Sequence, residues 1–493
     1  MARKIISAIL LTAILAGCAS CGSGTPDSGN DTTVSKDTTT GGADTTAEWT
    51  DPGIDFGGET FTIATHQWES PWQIAKYNQI TPDEENGDVI NDALVRRRRW
   101  VEEKFNLELE NFKLAERNSV NELVNVINAG EDAVDFGMVM AASMSMLMGA
   151  QNLVVDLASI NSIDFTNSWW DENATREMTL FGKQYAALGD VSFFIKGAQV
   201  ATFFNKNMIE TYQLDDPYQL VEEGKWTLDN YFSMAEAVAH DLNGNSRVDK
   251  EDSFGLACGG DAEEGFLLGC DVRYSKHDSE NIEITIMGER TVNALEKIDK
   301  FMKTKSVVMT DKTFSTANNV WFELFIPTLA DSRSLFYVNQ LLCALNMRSM
   351  DVDFGVLPMP KYDEEQKNYT STSSTWFTDL LVIPLTNQNP ERTGAVIEAM
   401  GYYSAQNVTP AFIDNVVMNK ALRDEQSAEM VGILYDTMQY DVARIFNWGG
   451  ITDTVLKVFW QRSDTPSYSS IYASSESAIK EAVEKAVSEF KGE

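Results

Sequence analysis

The twelve residues DLNGNSRVDKED (241 to 252) space their oxygen-bearing side chains as a calcium loop does. Counted from Asp241, positions 1, 3, 5, 9 and 12 are Asp241, Asn243, Asn245, Asp249 and Asp252, and position 7 offers the Arg247 carbonyl. Calcium takes about six to eight oxygen ligands, and a helix-loop-helix calcium site draws them from those positions. Val248, at position 8, is the apolar residue that would tie the loop to its surroundings. Two departures weaken the site. Ser246 stands where glycine makes the sharp turn, and Asp252 replaces the longer, bidentate glutamate. The next residues, SFGLACGG, read as a strand and a glycine turn and not as an exiting helix. A fixed calcium clip is therefore expected and a sensor is not; the competing reading is an Asx-rich turn closing a helix.

A second chemistry comes from eleven tryptophans in a chain rich in Asp, Glu, Asn and Gln. Flat aromatic faces stack on the apolar faces of sugar rings, and planar polar groups take their hydroxyls. HQWESPWQ (66 to 73) offers Trp68, Glu69 and Trp72, and AASMSM (141 to 146) offers Ser143 and Ser145 near free helix N–H groups. LGDVSF (188 to 193) offers Asp190, and TSSTWFTDLLVI (372 to 383) offers Trp376 and Asp379, with Trp376 the foremost stacking candidate. Each has a plainer role open to it: a local aromatic cluster for Trp68 and Trp72, N-capping for the serines. The chain carries no GxSxG, HExxH or phosphate-loop pattern, and its only histidines are His66, His240 and His277.

Short strands alternating with helices position these residues. The patterning predicts strands over 59–65, 106–112 and 133–140 and helices over 89–105 and 119–129, a βαβαβ series. Such a series argues for an open, mostly parallel α/β sheet with ligands at the carboxyl ends of its strands. That places Trp68 after the first strand and Ser143 after the third. A second set follows residue 185, with a helix at 227–240, strand-like runs at 332–345, 354–360 and 379–385, and helical patterns near 391–405, 421–438 and 475–490. Two α/β lobes, crossed between more than once, account for that order.

With 39 basic and 74 acidic residues the chain carries a net charge of -35, which repels nucleic acid and anionic lipid surfaces. The run Arg96 to Arg99 lies in the 89–105 helical pattern and reads as a solvated face. MARKIISAILLTAILAGCAS begins with a basic and then an apolar stretch, too short for a spanning helix of about 20 residues, and reads as a secretory signal over 1–17. Residues 18–50, rich in Gly, Ser, Thr and Asp, read as a tether with a reach of about 30 Å. Beyond Cys18 and Cys21, three cysteines remain; Cys258 and Cys270 could pair, and nothing in the spacing fixes it.

Leu15-Ala16-Gly17-Cys18 resembles the bacterial lipoprotein lipobox, which implies cleavage before Cys18 and its lipidation. Further stretches resemble the extracellular solute-binding proteins of ABC transporters, in the maltose- and oligosaccharide-binding family. They are GDVINDALVRRRRWVEEKFNLELE (87–110), FFNKNMIETY (203–212, Phe204 replacing the family's tyrosine), GKWTLDNYFSMAEAV (224–238) and FGVLPMPK (354–361). The resemblance implies a two-lobed α/β fold of periplasmic-binding-protein type II, with a hinge and an interlobe ligand cleft. It places lobe 1 at 55–186 plus 306–358 and lobe 2 at 187–305 plus 359–493. Trp226, at the Trp-Thr helix start, is expected in the core. The implied function is to capture a solute, an oligosaccharide above all, and hand it to a membrane permease as a lipid-anchored monomer facing outward from the cell envelope. The alternatives are a surface glycan-binding lipoprotein with no transporter and a secreted glycoside hydrolase whose paired carboxylates act as acid and base.

Overall fold

Helix α1 (Val89–Phe105) begins where the Asp88 carboxylate accepts from the N–H groups of Ile90 and Asn91, and ends on Asn106 at φ 50°. Such an N-cap contributes about 1 kcal/mol, and asparagine is among the few side chains that tolerate the left-handed region. The helix buries Ile90, Leu94, Val101 and Phe105 on one face. Strand β1 (Glu59–His66) precedes it, and β2 (Leu107–Leu114), α2 (Asn121–Asn128) and β3 (Phe136–Met140) follow. Both β2 and β3 pair parallel with β1, as the alternation predicts.

The computed structural model describes residues 49–66, 77–115, 120–148, 152–246, 248–309, 320–347, 349–414, 424–460 and 467–492. The signal peptide, Cys18 and nearly all of the tether lie outside them. No helix among the described residues is long and apolar enough to cross a membrane.

After β3 the chain crosses into a second lobe. There it forms β4 (Val200–Asn205), α3 (Leu228–Ala237), β5 (Phe254–Cys258), α4 (Asp261–Gly269), a hairpin of β6 (Ser275–His277) and β7 (Ile282–Ile284), α5 (Glu289–Met302), β8 (Val307–Met309), β9 (Ser334–Gln340) and β10 (Phe354–Leu357). It recrosses to add β11 (Asp379–Val382) and α6 (Pro390–Tyr403) to the first lobe. It then returns for α7 (Glu425–Asp436), α8 (Val442–Phe446), α9 (Ile451–Trp460) and α10 (Tyr468–Lys491). The sheets run β11-β3-β1-β2 and β10-β4-β9-β5-β8. Each is parallel at one end and antiparallel where a strand arrives from a crossing: β11 on β3, and β4 on β9.

Three expectations are corrected, two on the lobe boundaries and one on the arginine run, and the open question of the cysteines is answered. Residues 306–358 belong to the second lobe, because β8 and β9 pair with β5 and β10 pairs with β4. Conversely, 379–403 belongs to the first, because β11 pairs with β3 and α6 packs on α1. The arginine run is not wholly solvated. Arg97 is 1% exposed, on the inward face with Leu94 and Val101, while Arg96 and Arg99 reach Glu85 and Arg98 reaches Glu102. Cys258, Cys270 and Cys343 are all free and buried, so the 258–270 bridge is not made.

Candidate functional site

The lobes are joined by three segments that run side by side. The first (188–199) and second (371–378) bond through Ser374 N–H to the Ala198 carbonyl at 2.9 Å and Val200 N–H to the Thr372 carbonyl at 2.9 Å. The second segment also holds the end of β3, since Ala141 and Ala142 donate to the carbonyls of Thr378 and Thr375 at 2.9 and 3.0 Å. On the other side, Leu341 and Leu342, just after β9, donate to Gln199 and Gly197. The third segment begins at the end of α6. There the buried Arg97 guanidinium donates to the Val191 carbonyl (2.7 Å), Ser404 Oγ (2.8 Å) and the Gln79 carbonyl, and burial lowers its pKa to about 10. Tyr435 closes this side by donating to the Lys196 carbonyl at 2.7 Å.

Where the first and second segments meet the strand ends, polar side chains are gathered out of water. Asp261 opens α4 directly after Gly259 and Gly260 at the carboxyl end of β5. One of its oxygens accepts from Ser374 Oγ at 3.0 Å and from Gln340 Nε2, and burial pushes the carboxyl above its usual range. A side chain at Gly259 would meet the Trp321 ring at 3.2 Å, so the bare glycine lets that ring lie on the strand end. Deeper in α4, Glu264 takes both prongs of Arg444 (2.9 and 2.7 Å) and the Tyr274 hydroxyl (2.6 Å), and Arg444 also donates to the Ser373 carbonyl. Burial alone would raise the Glu264 pKa, but the Arg444 charge together with the hydrogen bonds from Arg444 and Tyr274 outweighs it and holds the carboxyl below its usual range. The pair ties helix α8 to α4 and to the second crossing segment.

Of the expected ligand residues, Trp68, Glu69 and Trp72 lie outside the described residues. Ser143 is fully buried in the turn after β3, makes no capping bond, and its hydroxyl has no protein partner. Trp376 stands on the second crossing segment with 40% of its surface exposed. Asp379 heads β11, but its carboxylate faces its own lobe, accepting from Ser192 Oγ (3.0 Å) and Gln79 Nε2 (3.2 Å), with burial raising its pKa to about 6. Asp190 also turns away, accepting from Thr409 at 3.1 Å with Lys196 at 3.9 Å. The structure thus places Ser143 in a turn beside the segment that carries Trp376 and gives Asp190 and Asp379 to the hinge. Trp226 is in the core as expected, its indole N–H donating to the Pro358 carbonyl at 2.9 Å. Gln199, Asp261, Gln340 and Arg444 had no place in the sequence reading. Only Asp261 left a signal, as the acid after a Gly-Gly turn between strand and helix.

In the 241–252 loop the oxygens turn inward. Asp241 accepts from the N–H groups of Gly244 and Ser246 at 2.7 Å each, and Asp252 from those of Leu242 and Asp249. Ser246 sits at φ 60°, in the conformation for which glycine is expected at that position. The amides of Asn243 and Asn245 point their nitrogens at Asp249, at 3.0 and 2.5 Å, so both must turn over to present oxygens to an ion. Arg247 lies outside the described residues. Among the described residues no group of three or more His, Cys, Asp or Glu side chains is placed to hold a metal; the loop would depend on its asparagines.

No protein-family model matches the chain, and no curated protein matches it. Solved structures do. The galacto-N-biose/lacto-N-biose I-binding protein of an ABC transporter from Bifidobacterium longum, in complex with lacto-N-biose, is 12% identical, with 87% of this chain and 98% of that one covered at a TM-score of 0.57. The GacH receptor of Streptomyces glaucescens, solved unliganded and with acarbose, is 14% identical over 87% and 99%, at 0.55. UgpB from Mycobacterium tuberculosis, in complex with glycerophosphocholine, is 14% identical over 82% and 98%, at 0.55. At these identities the likeness is one of fold, and it bears out the two-lobed architecture.

Proposed function

We propose that the protein is the substrate-binding component of an ABC importer. It captures a solute, an oligosaccharide in the first instance, between its lobes and presents the closed form to a permease. The observation that carries this reading is the 371–378 segment. It hydrogen-bonds to β3's end in one lobe and to the 197–199 stretch entering the other, and it holds Trp376 exposed between them. A solute stacked on Trp376 and touching both lobes would favour the closed arrangement by its differential affinity alone. The solved relatives in fold bind lacto-N-biose, acarbose and glycerophosphocholine, which supports solute binding over catalysis. Titration of the purified protein with oligosaccharides, read by tryptophan fluorescence and thermal shift, tests this. A ligand recovered intact supports it; cleaved sugar points to the hydrolase.

The same proposal keeps lipidation at Cys18, anchorage at the outer face of the cell envelope, and a structural calcium held by Asp241, Asn243, Asn245, the Arg247 carbonyl, Asp249 and Asp252. Calcium bound there would supply charge to hold the loop between α3 and β5. The left-handed Ser246 supports that loop form.

A further inference from the structure

The turn that carries Trp376 is set from the second lobe through one hydroxyl. Ser374 Oγ donates its single hydrogen to the Asp261 carboxylate at 3.0 Å, which leaves its lone pairs for the Trp376 N–H at 3.3 Å. The Ser374 carbonyl closes the same turn, accepting from the Phe377 N–H at 3.1 Å and from Thr378 Oγ1 at 2.7 Å. From the first lobe, the Ala142 N–H reaches the Thr375 carbonyl at 3.0 Å. Ser374 is fully buried, while Trp376, at the tip, is 40% exposed. A bond to the Trp376 N–H constrains φ there, and the backbone angles decide which directions the indole can take. Asp261 is itself fixed. It follows β5, and Gln340, the last residue of the neighbouring β9, donates Nε2 to the same carboxylate oxygen. Two adjoining strand ends of the second lobe thus meet Ser374 at one charged acceptor, whose hydrogen bonds are about twice as strong as neutral ones. With that acceptor gone the hydroxyl can rotate, and its lone pairs are no longer held on Trp376.

We propose that Asp261 is the positioning residue for Trp376: without touching the solute, it aims the stacking indole through Ser374, so that the strand ends of the second lobe set the face on which a sugar ring lies. The consequence for solute binding rests on the crossing being the solute site; the aiming of Trp376 does not.

Fluorine NMR of the full chain labelled with fluorotryptophan tests it, the Trp376 resonance being assigned by its loss in Trp376→Phe. Asp261→Ala and Ser374→Ala should each move that resonance, and Asp261→Asn, which keeps an acceptor oxygen, should return it toward its wild-type place. The double variant Asp261→Ala/Ser374→Ala should match Ser374→Ala, since one residue acts through the other. If Asp261→Ala does not fold, Asp261→Leu, which fills the place and accepts nothing, stands in for it. An Asp261 that is merely structural would lower the melting temperature and leave the Trp376 resonance where it is, and that result overturns the inference. So does a shift that Asp261→Asn fails to reverse, or a double variant displaced well beyond Ser374→Ala. Titration of the same labelled protein with maltotriose and with lacto-N-biose separates this inference from the importer reading. A sugar that binds should move the wild-type Trp376 resonance and bind Asp261→Ala about fivefold more weakly, as the loss of about one hydrogen bond implies. A resonance that follows the variants but answers to neither sugar upholds the positioning and counts against the importer reading. Sugar binding with a Trp376 resonance indifferent to Asp261 does the reverse.

Discussion

Neutralising Glu264 while keeping its shape should be among the most costly single changes in the protein. In Glu264→Gln the side chain still fills its place under α8, but Arg444 loses its counter-charge, and a glutamine nitrogen faces one of its N–H groups at the present 2.7 Å contact. Arg444 cannot escape to water, since it is 5% exposed and is also held to the Ser373 carbonyl at 2.9 Å. Stranding one half of a buried pair costs about 3–5 kcal/mol. Arg444→Met should cost a similar amount, because it strands Glu264. Replacing both with methionine removes the stranded charge, leaving chiefly the Tyr274 hydroxyl and the Ser373 carbonyl without partners at about 1–3 kcal/mol each, so the double variant should cost clearly less than the two singles added together. Urea unfolding at pH 7, followed by tryptophan fluorescence, measures all three. The folded Glu264 pKa is lowered, so the stabilisation is present above the unfolded carboxyl range and is lost as pH falls through the folded value. A Glu264→Gln cost under about 1 kcal/mol, or a double variant equal to the sum, would refute the reasoning.

Asp379, whose folded pKa is raised to about 6, gives the opposite pH sign. Its protonated form favours the fold, so this contribution should fade by up to roughly 3 kcal/mol between about pH 4 and 6, and Asp379→Asn should flatten that part of the urea-stability profile. At Gly197, a Cβ would come within 2.8 Å of Leu342 and Phe412, so Gly197→Ala should cost about 1–3 kcal/mol in unfolding experiments and weaken solute binding by disturbing the crossings. Chelation of calcium should lower the melting temperature of the wild type and leave that of an Asp241→Ala/Asp249→Ala variant unmoved; equal responses would remove calcium from the account.

Local chemistry was legible and long-range pairing was not. The span of α1 follows from Asp88, the 3.6-residue apolar rhythm and Asn106, and the same rhythm puts Arg97 in phase with Ile90, Leu94 and Val101, a signal that a charge run conceals. Strands β9 and β10 were visible as apolar runs, but such runs fit the centre of either sheet equally well. Their lobe is decided by register with β4 and β5, a contact across 80 residues or more. Ser143 could be read from its position after a strand and Trp376 from its position before one. Gln199 could not, because its role depends on Ser373 lying beside it, and Asp379 read as a ligand because nothing local reveals that Gln79 and Ser192 claim it first.

The claim on which the rest depends is that a solute closes the lobes over Trp376. A thermal-shift and fluorescence titration of wild type and Trp376→Ala against soluble oligosaccharides tests it directly. The account predicts that at least one sugar raises the wild-type melting temperature and changes its tryptophan emission, is recovered uncleaved, and binds the variant about fivefold or more weakly, as loss of a stacking aromatic worth about 1 kcal/mol or more requires. A sugar that binds both proteins equally, or that is returned cleaved, would contradict it.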